Sequence, residues 1–597
     1  MLFKPHLGAF FLVFQYASAA YTAKNVTSDC YCLPQDACWP SIAEWDALNT
    51  TVNGRLIATV PIGSVCHEPT YDEAACVALR AEWNEPEPHY DSSSSAMALY
   101  WNNNSCNPLA DRSTPCRIGN LISYAVNISN TDEIAETIKF AKTHNVRLVV
   151  RNTGHDFVGR STGAGGLAVW THHLKSLEVV QPFEIDAGVG KASYSGPALK
   201  MGSGVQGFEA ESFASQSGLV VVGGWCPSVG IAGGYTQGGG HSPLGSQFGM
   251  AADQTLEFEV VTVNGSVVTA SPRENSDLYW ALSGGGPGTY GVVTSVTVRA
   301  HPDLPIGGAS VYITNDLTFP NATTILDNYW ITIKTWYSLL PNLTDSGIGA
   351  TFSYNNSLFL LNPLTAYNMT SDEVKTAIKP WTDQLDYFGI TYSATFTDMP
   401  NYYTHWNTFV APGPVGGFWQ AIARIVPERI LSDAQSLTAF ANVARDLADQ
   451  GALAGATAVA PKKKTNFDNA VLPAWRGAAG LHGLLQEWSD NPSLWDEMQN
   501  MLRNADSHLS PALKSVTGGT AGSGSWDVGS YVNEVSGVEP DWKDESFGQN
   551  WEKLLQVKRK WDPEGIFWGP RLVGSEDREV VGNPRDIGDG RLCKVGH

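Results

Sequence analysis

Between residues 223 and 241 the chain reads GGWCPSVGIAGGYTQGGGH, eight glycines set around a single cysteine, Cys226. Glycine adds no side chain to a core and loses more backbone freedom on folding than any other residue. A stretch this rich in it is a poor helix and a poor central strand. It suits backbone that must turn sharply and lie against a flat or phosphorylated partner. Two readings of Cys226 follow: a buried free thiol acts as a small inert hydrophobe, whereas a thiol offered to a ligand is a nucleophile. The surrounding glycines favour the second.

With 597 residues, the chain is long enough for two or more structural units with large cores. It carries 59 acidic against 38 basic residues, a net charge of -21, which argues against a partner bound through phosphates such as nucleic acid. Lys4, the apolar run LGAFFLVF (7–14) and the small residues ASA (17–19) read as a signal peptide over 1–20, with the mature chain starting near Ala20 or Tyr21. No later apolar run is long enough for a transmembrane helix, so the expectation is a secreted protein without a membrane span. Glycosylation sequons at Asn25, Asn49, Asn103, Asn127, Asn264, Asn321, Asn342, Asn355 and Asn368 agree with export. In an oxidising compartment paired cysteines default to disulfides. Of nine cysteines, eight lie near the two ends and can form four bridges of open connectivity, leaving Cys226 over.

Residues 21–116 read as a cysteine-rich N-terminal extension. From 117 the pattern changes: NLISYAVNIS (120–129) is a strand, Asn130 and Glu133 form a capping box opening a helix to about His144, and VRLVV (146–150) is a short buried strand. This β-α-β start runs into RNTGHDFVGRSTGAGG (151–166), whose N–H groups suit a concave nest for a phosphate pair. Arg151 and Arg160 either add charge there or simply solvate the turn, and His155 alone fits a structural role as well as a chemical one. Further on, β-branched runs recur in GLVVVGG, LEFEVVTVNGSVVTA and GVVTSVTVRA, with Asn264-Gly265 marking a hairpin. HPDLP (301–305) reads as a linker to a second α+β unit. The loop VTGGTAGSGSW (516–526) leads to an amphipathic helix within 548–570 that Asp562-Pro563 stops.

GPGTYG (286–291) matches G-x-G-x-x-G literally, but the helical NSDLYWALSGG precedes it and a β-branched run follows. A dinucleotide fingerprint needs the reverse order, because the helix N-terminus carries the pyrophosphate.

Taken together, RNTGH, GGWCPSVGIAGGYTQGGGHSPLGSQFGMAAD, NSDLYWALSGGGPGTYGVVTSV, YVNE (531–534) and NWEKLLQVKRKWDPEGIF resemble the berberine-bridge-enzyme-like branch of the vanillyl-alcohol-oxidase flavoproteins, in order over about 117–570. The likeness is nearest in character to secreted fungal members of the isoamyl-alcohol-oxidase type. It implies an α+β fold in which a two-part PCMH-type FAD-binding domain (117–301, rejoined by a berberine-like segment 526–572) carries an inserted substrate domain (302–525) of antiparallel sheet covered by helices, before a tail of 573–597. It implies FAD attached twice, through His155 to the flavin 8α-methyl carbon and through Cys226 to C6. Arg151, Thr153, Gly154, Gly159 and Ser161 then belong to the pyrophosphate loop. Gly230, Gly233, Gly234 and Gly291 line the flavin, His241 meets its edge, and Asn550 closes over the domain. Val229 stands where oxygen-using relatives carry a small gatekeeper.

The resemblance makes Tyr531, first residue of a Y-x-N motif with Asn533, the base that deprotonates a substrate hydroxyl, while Glu534 either tunes it or faces solvent. A packed aromatic is the competing reading of Tyr531. No metal is implied. The expected activity is oxidation of a small-molecule alcohol, or of a hydroxyl or C–H group of a secondary metabolite, with oxygen reduced to hydrogen peroxide. A dehydrogenase or oxidative-cyclisation enzyme using another acceptor, and a flavin-bearing binding protein without turnover, stand as alternatives. The aromatics of 330–420 suggest a lined pocket, although aromatic segments also build plain core.

Overall fold

The computed structural model describes residues 29–97, 101, 104–186, 193–315, 322–410, 415, 418–462, 467–489, 491–520, 522, 526–582 and 590–596. The expected signal peptide and the sequons at Asn25, Asn103 and Asn321 lie outside these residues. Asn264, Asn342 and Asn368 are exposed, while Asn49, Asn127 and Asn355 are partly covered.

The first sheet combines β1 (Leu56–Ala58), β2 (Tyr124–Asn127), β3 (Leu148–Arg151) and β4 (Leu167–Trp170) in the order β1-β2-β4-β3, with β4 parallel to both neighbours. Between β2 and β3 runs the helix Thr131–Thr143, capped as its sequence implies: the Glu133 amide donates to Asn130 Oδ1 at 3.0 Å. Glu133 reaches back one residue further than expected, to the amide of Ser129 at 2.8 Å. Residues 152–166 carry the chain from the carboxyl end of β3 to β4 without regular structure.

The cysteine-rich stretch is built into this sheet. β1 is its antiparallel edge strand, and Trp45, Leu48 and Val52 pack with Ile134 and Ile138 of the helix. Local bridges join Cys32–Cys38, Cys66–Cys76 and Cys106–Cys116, while Cys30–Cys593 ties the front of the described chain to its end. Cys226 is the free thiol among the described residues, as the sequence implies.

A second sheet, all antiparallel, orders β5 (Leu177–Asp186), β6 (Ser193–Gly202), β10 (Val292–Arg299), β8 (Thr255–Val261) and β9 (Val267–Ala270). β8 and β9 form the expected hairpin, with Gly265 at φ 83° in its turn. Of GLVVVGG only β7 (Leu219–Val220) pairs, and its partner is β11 (His301–Pro302). The expected linker at 301–305 therefore begins as a paired crossing that fixes where the chain leaves this sheet.

The third sheet has seven antiparallel strands in the order β15-β12-β14-β13-β17-β18-β16: β12 (Ile306–Thr314), β13 (Gly349–Tyr354), β14 (Leu358–Tyr367), β15 (Tyr392–Met399), β16 (Phe418–Pro427), β17 (Leu453–Ala458) and β18 (Ala478–Glu487). Side chains alternate across it. Ile422, Val426 and Leu484 face a core shared with the helices Ala322–Asp345, Ser371–Phe388 and Ala434–Asp449, while Ala423, Ile425 and Leu481 face the second sheet. The aromatics expected to line a pocket, Tyr329, Trp330, Trp336, Tyr337, Phe352 and Trp381, sit in the helix-side core. The core reading holds for a simple reason: YWITIKTWYSLL is helical, and its rings turn inward onto the sheet, while Tyr402 and Trp406 of PNYYTHWNTF pack in a smaller core with Val220 and Ile306. The chain thus folds as α+β, with antiparallel sheets and helices around two large cores.

The helix Trp551–Trp561 returns to the second sheet's side, packing Leu554 and Val557 into its core and ending at Asp562 before Pro563. Buried Lys558 fastens it by donating to Thr289 O at 2.8 Å, Phe567 O at 2.6 Å and Asp562 Oδ2 at 2.6 Å. Among the described residues no helix is long and apolar enough to cross a membrane, and no group of three metal-ligating side chains gathers.

Candidate active site

The loop after β3 is held from both sides by buried arginines. Arg151 is fully buried, and its Nη2 donates to the carbonyls of His89 at 3.0 Å and Ser92 at 2.9 Å, and to that of Ser95. Arg160 donates to Pro570 O at 3.1 Å and Val532 O at 2.9 Å, joining the loop to the C-terminal segment. Neither arginine solvates the turn. Part of the expected phosphate nest is filled from within, because Asp156 Oδ2 accepts the amides of Val158, at 3.1 Å, and Arg160. Gly154 and Gly159 adopt φ of 87° and 80°, and a Cβ on either would press on the Arg151 guanidinium or the Trp101 indole. Thr153 is buried and Ser161 partly exposed.

The turn carrying Cys226 docks on the N-terminus of the helix Gly207–Ser215. The orphan amides of Gly207 and Phe208 donate to Val229 O at 2.9 Å and Pro227 O at 3.0 Å, and Gln206 Nε2 donates to Ser228 O at 2.8 Å. Here the two candidate anchors meet. His155 Nε2 lies 2.8 Å from Ser228 Oγ, and Cys226 Sγ lies 3.5 Å from the same hydroxyl. The imidazole keeps some accessible surface but is enclosed by protein atoms. That burial, aided by the charges of His89 and Arg151 against the Ser228 contact, holds its pKa at about 4, so it is neutral at ordinary pH. Ser228 escaped the sequence reading although it stands between Cys226 and Val229; its polarity inside the glycine bed was the available signal.

The glycine bed works largely by admitting side chains of the protein itself. A Cβ on Gly230 or Gly233 would press on the Asn152 side chain, and one on Gly240 would meet Tyr235 at 2.8 Å. Gly234 leaves 3.6 Å to Pro287, the roomiest of these positions, and its carbonyl accepts from Asn533 Nδ2 at 3.0 Å. Gly238 is required for that seat, since a Cβ there would collide with the Asn533 amide. Gly291 makes room for β8: its Cβ would lie 2.6 Å from Val260 Cγ1. GPGTYG does lie between the helix Ser276–Leu282 and β10, the order that excludes a dinucleotide fingerprint.

Tyr531 is buried, and its hydroxyl oxygen accepts from Asn533 Nδ2 at 2.8 Å and the Gly240 amide at 3.2 Å. Burial and then the Glu534 charge raise its pKa above the ordinary tyrosine value, against the opposing pull of those two donors and of Arg160. Glu534 is half-buried, and its Oε1 lies 2.8 Å from His241 Nε2. The His241 ring meets Tyr531 edge-on at 5.1 Å and stacks on buried Trp475 at 6.1 Å, a residue the sequence reading passed over. Asn550 Nδ2 donates to Ala470 O at 3.0 Å and Val471 O at 3.2 Å, holding the segment that leads to Trp475. The structure therefore gathers two groups, His155 with Cys226 and Tyr531 with Asn533, Glu534 and His241, linked through Arg160 and Gly234.

Polar atoms around this region stand buried without a protein partner: Arg151 Nε and Nη1, Asn152 Oδ1, His172 Nδ1, Ser203 Oγ and His241 Nδ1. Native interiors satisfy nearly all such atoms. Open donors and acceptors beside two nucleophiles fit a polar ligand of the FAD kind.

Comparison with known proteins accords with this geometry. Residues 122–271 match the model of the FAD binding domain, and residues 530–571 that of berberine and berberine-like proteins. The FAD-linked oxidoreductase ZEB1 of Gibberella zeae is 42% identical over 582 residues, 96% of each chain. The chain belongs to the berberine-bridge-enzyme-like FAD-linked oxidoreductases of the vanillyl-alcohol-oxidase superfamily. The crystal structure of the VAO-type flavoprotein MtVAO615 from Myceliophthora thermophila C1 superposes with a TM-score of 0.87 at 37% identity, covering 95% of this chain and 100% of that one. The bifunctional decalin synthase calF of Penicillium decumbens is 38% identical over the whole of both chains.

Proposed function

We propose that this FAD-linked oxidoreductase is a secreted oxidase whose flavin is bound covalently by both His155 and Cys226, and that it oxidises a small-molecule alcohol with dioxygen as acceptor. The observation that carries the reading is the convergence of His155 and Cys226, 71 positions apart, on the Ser228 hydroxyl. Bound FAD supplies the two-electron oxidation, and the protein positions and tunes it. His155, kept neutral, has a lone pair for bond formation. Cys226 is free, outside every disulfide. The loop 151–161, with Thr153, Gly154, Gly159 and Ser161, is assigned to the pyrophosphate, the open Arg151 nitrogens supporting it. The FAD-binding part is assigned to 117–301 with 526–572, and the sheet of 302–525 to the substrate side.

Tyr531 is assigned as the base that takes the substrate hydroxyl proton. The Asn533 and Gly240 donors stabilise its phenolate. Val229, partly buried three positions after Cys226, supports oxygen as acceptor. The four disulfides support passage through an oxidising compartment. An oxidative-cyclisation activity is the second reading, favoured by the full-length likeness to a protein named a decalin synthase.

The test is a screen of alcohols, sugars and metabolites for peroxide release, followed by anaerobic reduction and mixing with air. Reoxidation as fast as turnover supports the oxidase. Reoxidation far slower than turnover with a dye acceptor removes it.

A further inference from the structure

Ser228 offers more than a place for two anchors to meet. Its Oγ touches Nε2 of His155, so Nδ1 is the nitrogen left for attack, and a neutral ring with Nδ1 unprotonated carries its hydrogen on Nε2, donated to Oγ. The hydroxyl hydrogen is then directed to Cys226 Sγ, 3.5 Å away. Gln206, through Ser228 O, and the amides of Gly207 and Phe208 hold this turn, so the hydroxyl sits on a fixed backbone.

We propose that Ser228 is a positioning residue for flavin attachment, presenting Nδ1 of His155 for the first bond and afterwards passing the Cys226 proton to Nε2 to prepare the second. The inference rests on the bicovalent reading above. While Nε2 carries a hydrogen it cannot accept one, and the thiol stays protonated. Once Nδ1 is bonded to carbon, burial disfavours a charged ring, and Nε2 gives up its proton to solvent. Nε2 then presents a lone pair to Ser228. The S–H bond breaks as an O–H bond forms, the original Ser228 O–H breaks as Nε2–H forms, and the imidazolium is now offset by the thiolate that faces it across the hydroxyl. The thiolate is the nucleophilic form. In each attachment one hydrogen leaves the residue and one leaves the flavin, and the two electrons go with them to dioxygen, giving hydrogen peroxide.

The account therefore orders the bonds: histidyl first, cysteinyl second and dependent on it. Proteolytic peptides of the purified full-length protein, separated and weighed, read both bonds directly. Ser228→Ala is expected to retain FAD on the His155 peptide while cysteinyl bonding slows about a hundredfold, the low end for a positioned proton-transfer group. The Cys226 peptide would then be recovered as a free, alkylatable thiol. Ser228→Thr, which keeps the hydroxyl, is expected to restore the double link. Wild-type protein harvested early supplies a measurement independent of any variant's folding: singly linked chains should carry FAD on His155. Cys226 linked as fully in Ser228→Ala as in wild type, or early chains linked through Cys226 alone, would overturn the inference while leaving the bicovalent reading intact. Mature wild-type protein with neither peptide modified would remove that reading instead.

Discussion

Two regions of the described structure each hold a histidine and a tyrosine in the interior, and their surroundings differ. On the helix-covered face of the seven-stranded sheet, His482 Nδ1 lies 2.7 Å from Tyr337 Oη, which lies 3.0 Å from Tyr354 Oη. In the glycine bed, His155 meets Ser228, and Tyr531 meets Asn533. Both histidines are held by burial at a pKa of about 4, and both regions leave polar atoms open, Nε2 of His482 among them. Burial and a perturbed pKa therefore do not separate structure from chemistry. Irregular backbone does. Tyr337, Tyr354 and His482 sit inside regular elements amid Phe352 and Phe440, whereas the other set hangs on turns opened by glycine and brings two nucleophiles to one hydroxyl.

That contrast can be broken by experiment. The largest effect is expected from replacing both His155 and Cys226 with Ala, which should leave all flavin extractable after acid precipitation, while Cys226→Ala alone keeps it attached through His155. Tyr337→Phe, on the other face, should leave attachment unchanged. Next, Trp336→Ala is expected to cost about 3–5 kcal/mol in denaturant unfolding, since the ring is fully buried beside Phe352 and Trp381, and to leave flavin attachment unaltered in folded protein. Tyr531→Phe should do the opposite, lowering the rate of anaerobic flavin reduction about 10²–10⁴-fold with a stability change nearer ~1 kcal/mol.

Acid should weaken the helix-side region. A histidine with its folded pKa lowered contributes stability that is present above its unfolded value, near 6.5, and is lost as pH falls towards about 4. For His482 that loss is on the order of 3 kcal/mol, and His482→Gln should flatten the corresponding part of the curve of unfolding free energy against pH. The smallest effect is expected from Glu534→Gln. Removing that charge takes away the second cause that raises Tyr531, so the rising limb of the rate profile, where the base loses its proton, should move to lower pH.

Much of the frame was legible because it depends on local signals: the Asn130 cap, the Asn264-Gly265 hairpin and the stop at Asp562-Pro563 all fold as read. So did the odd cysteine, by counting. For the aromatic segment at 329–340 pocket and core both stood open, because composition does not tell which way a ring turns; only packing against the sheet places Trp336 and Tyr337 in core. For Arg151 and Arg160 the sequence left charge and solvation both open for a related reason, since a charge beside a glycine loop looks solvated until the carbonyls that bury it are known. The site was legible in its parts and not in its joints. Ser228, Asn152 and Trp475 carry no motif of their own, and the pairing of His241 with Glu534 spans 293 positions.

The central claim is that one flavin joins His155 and Cys226, and peptide mass analysis of the denatured, digested wild-type protein tests it most directly. The account predicts a single species absorbing in the visible, containing both peptides and weighing their sum plus FAD less four hydrogens. Recovery of the two peptides separately, each at its unmodified mass, would contradict it.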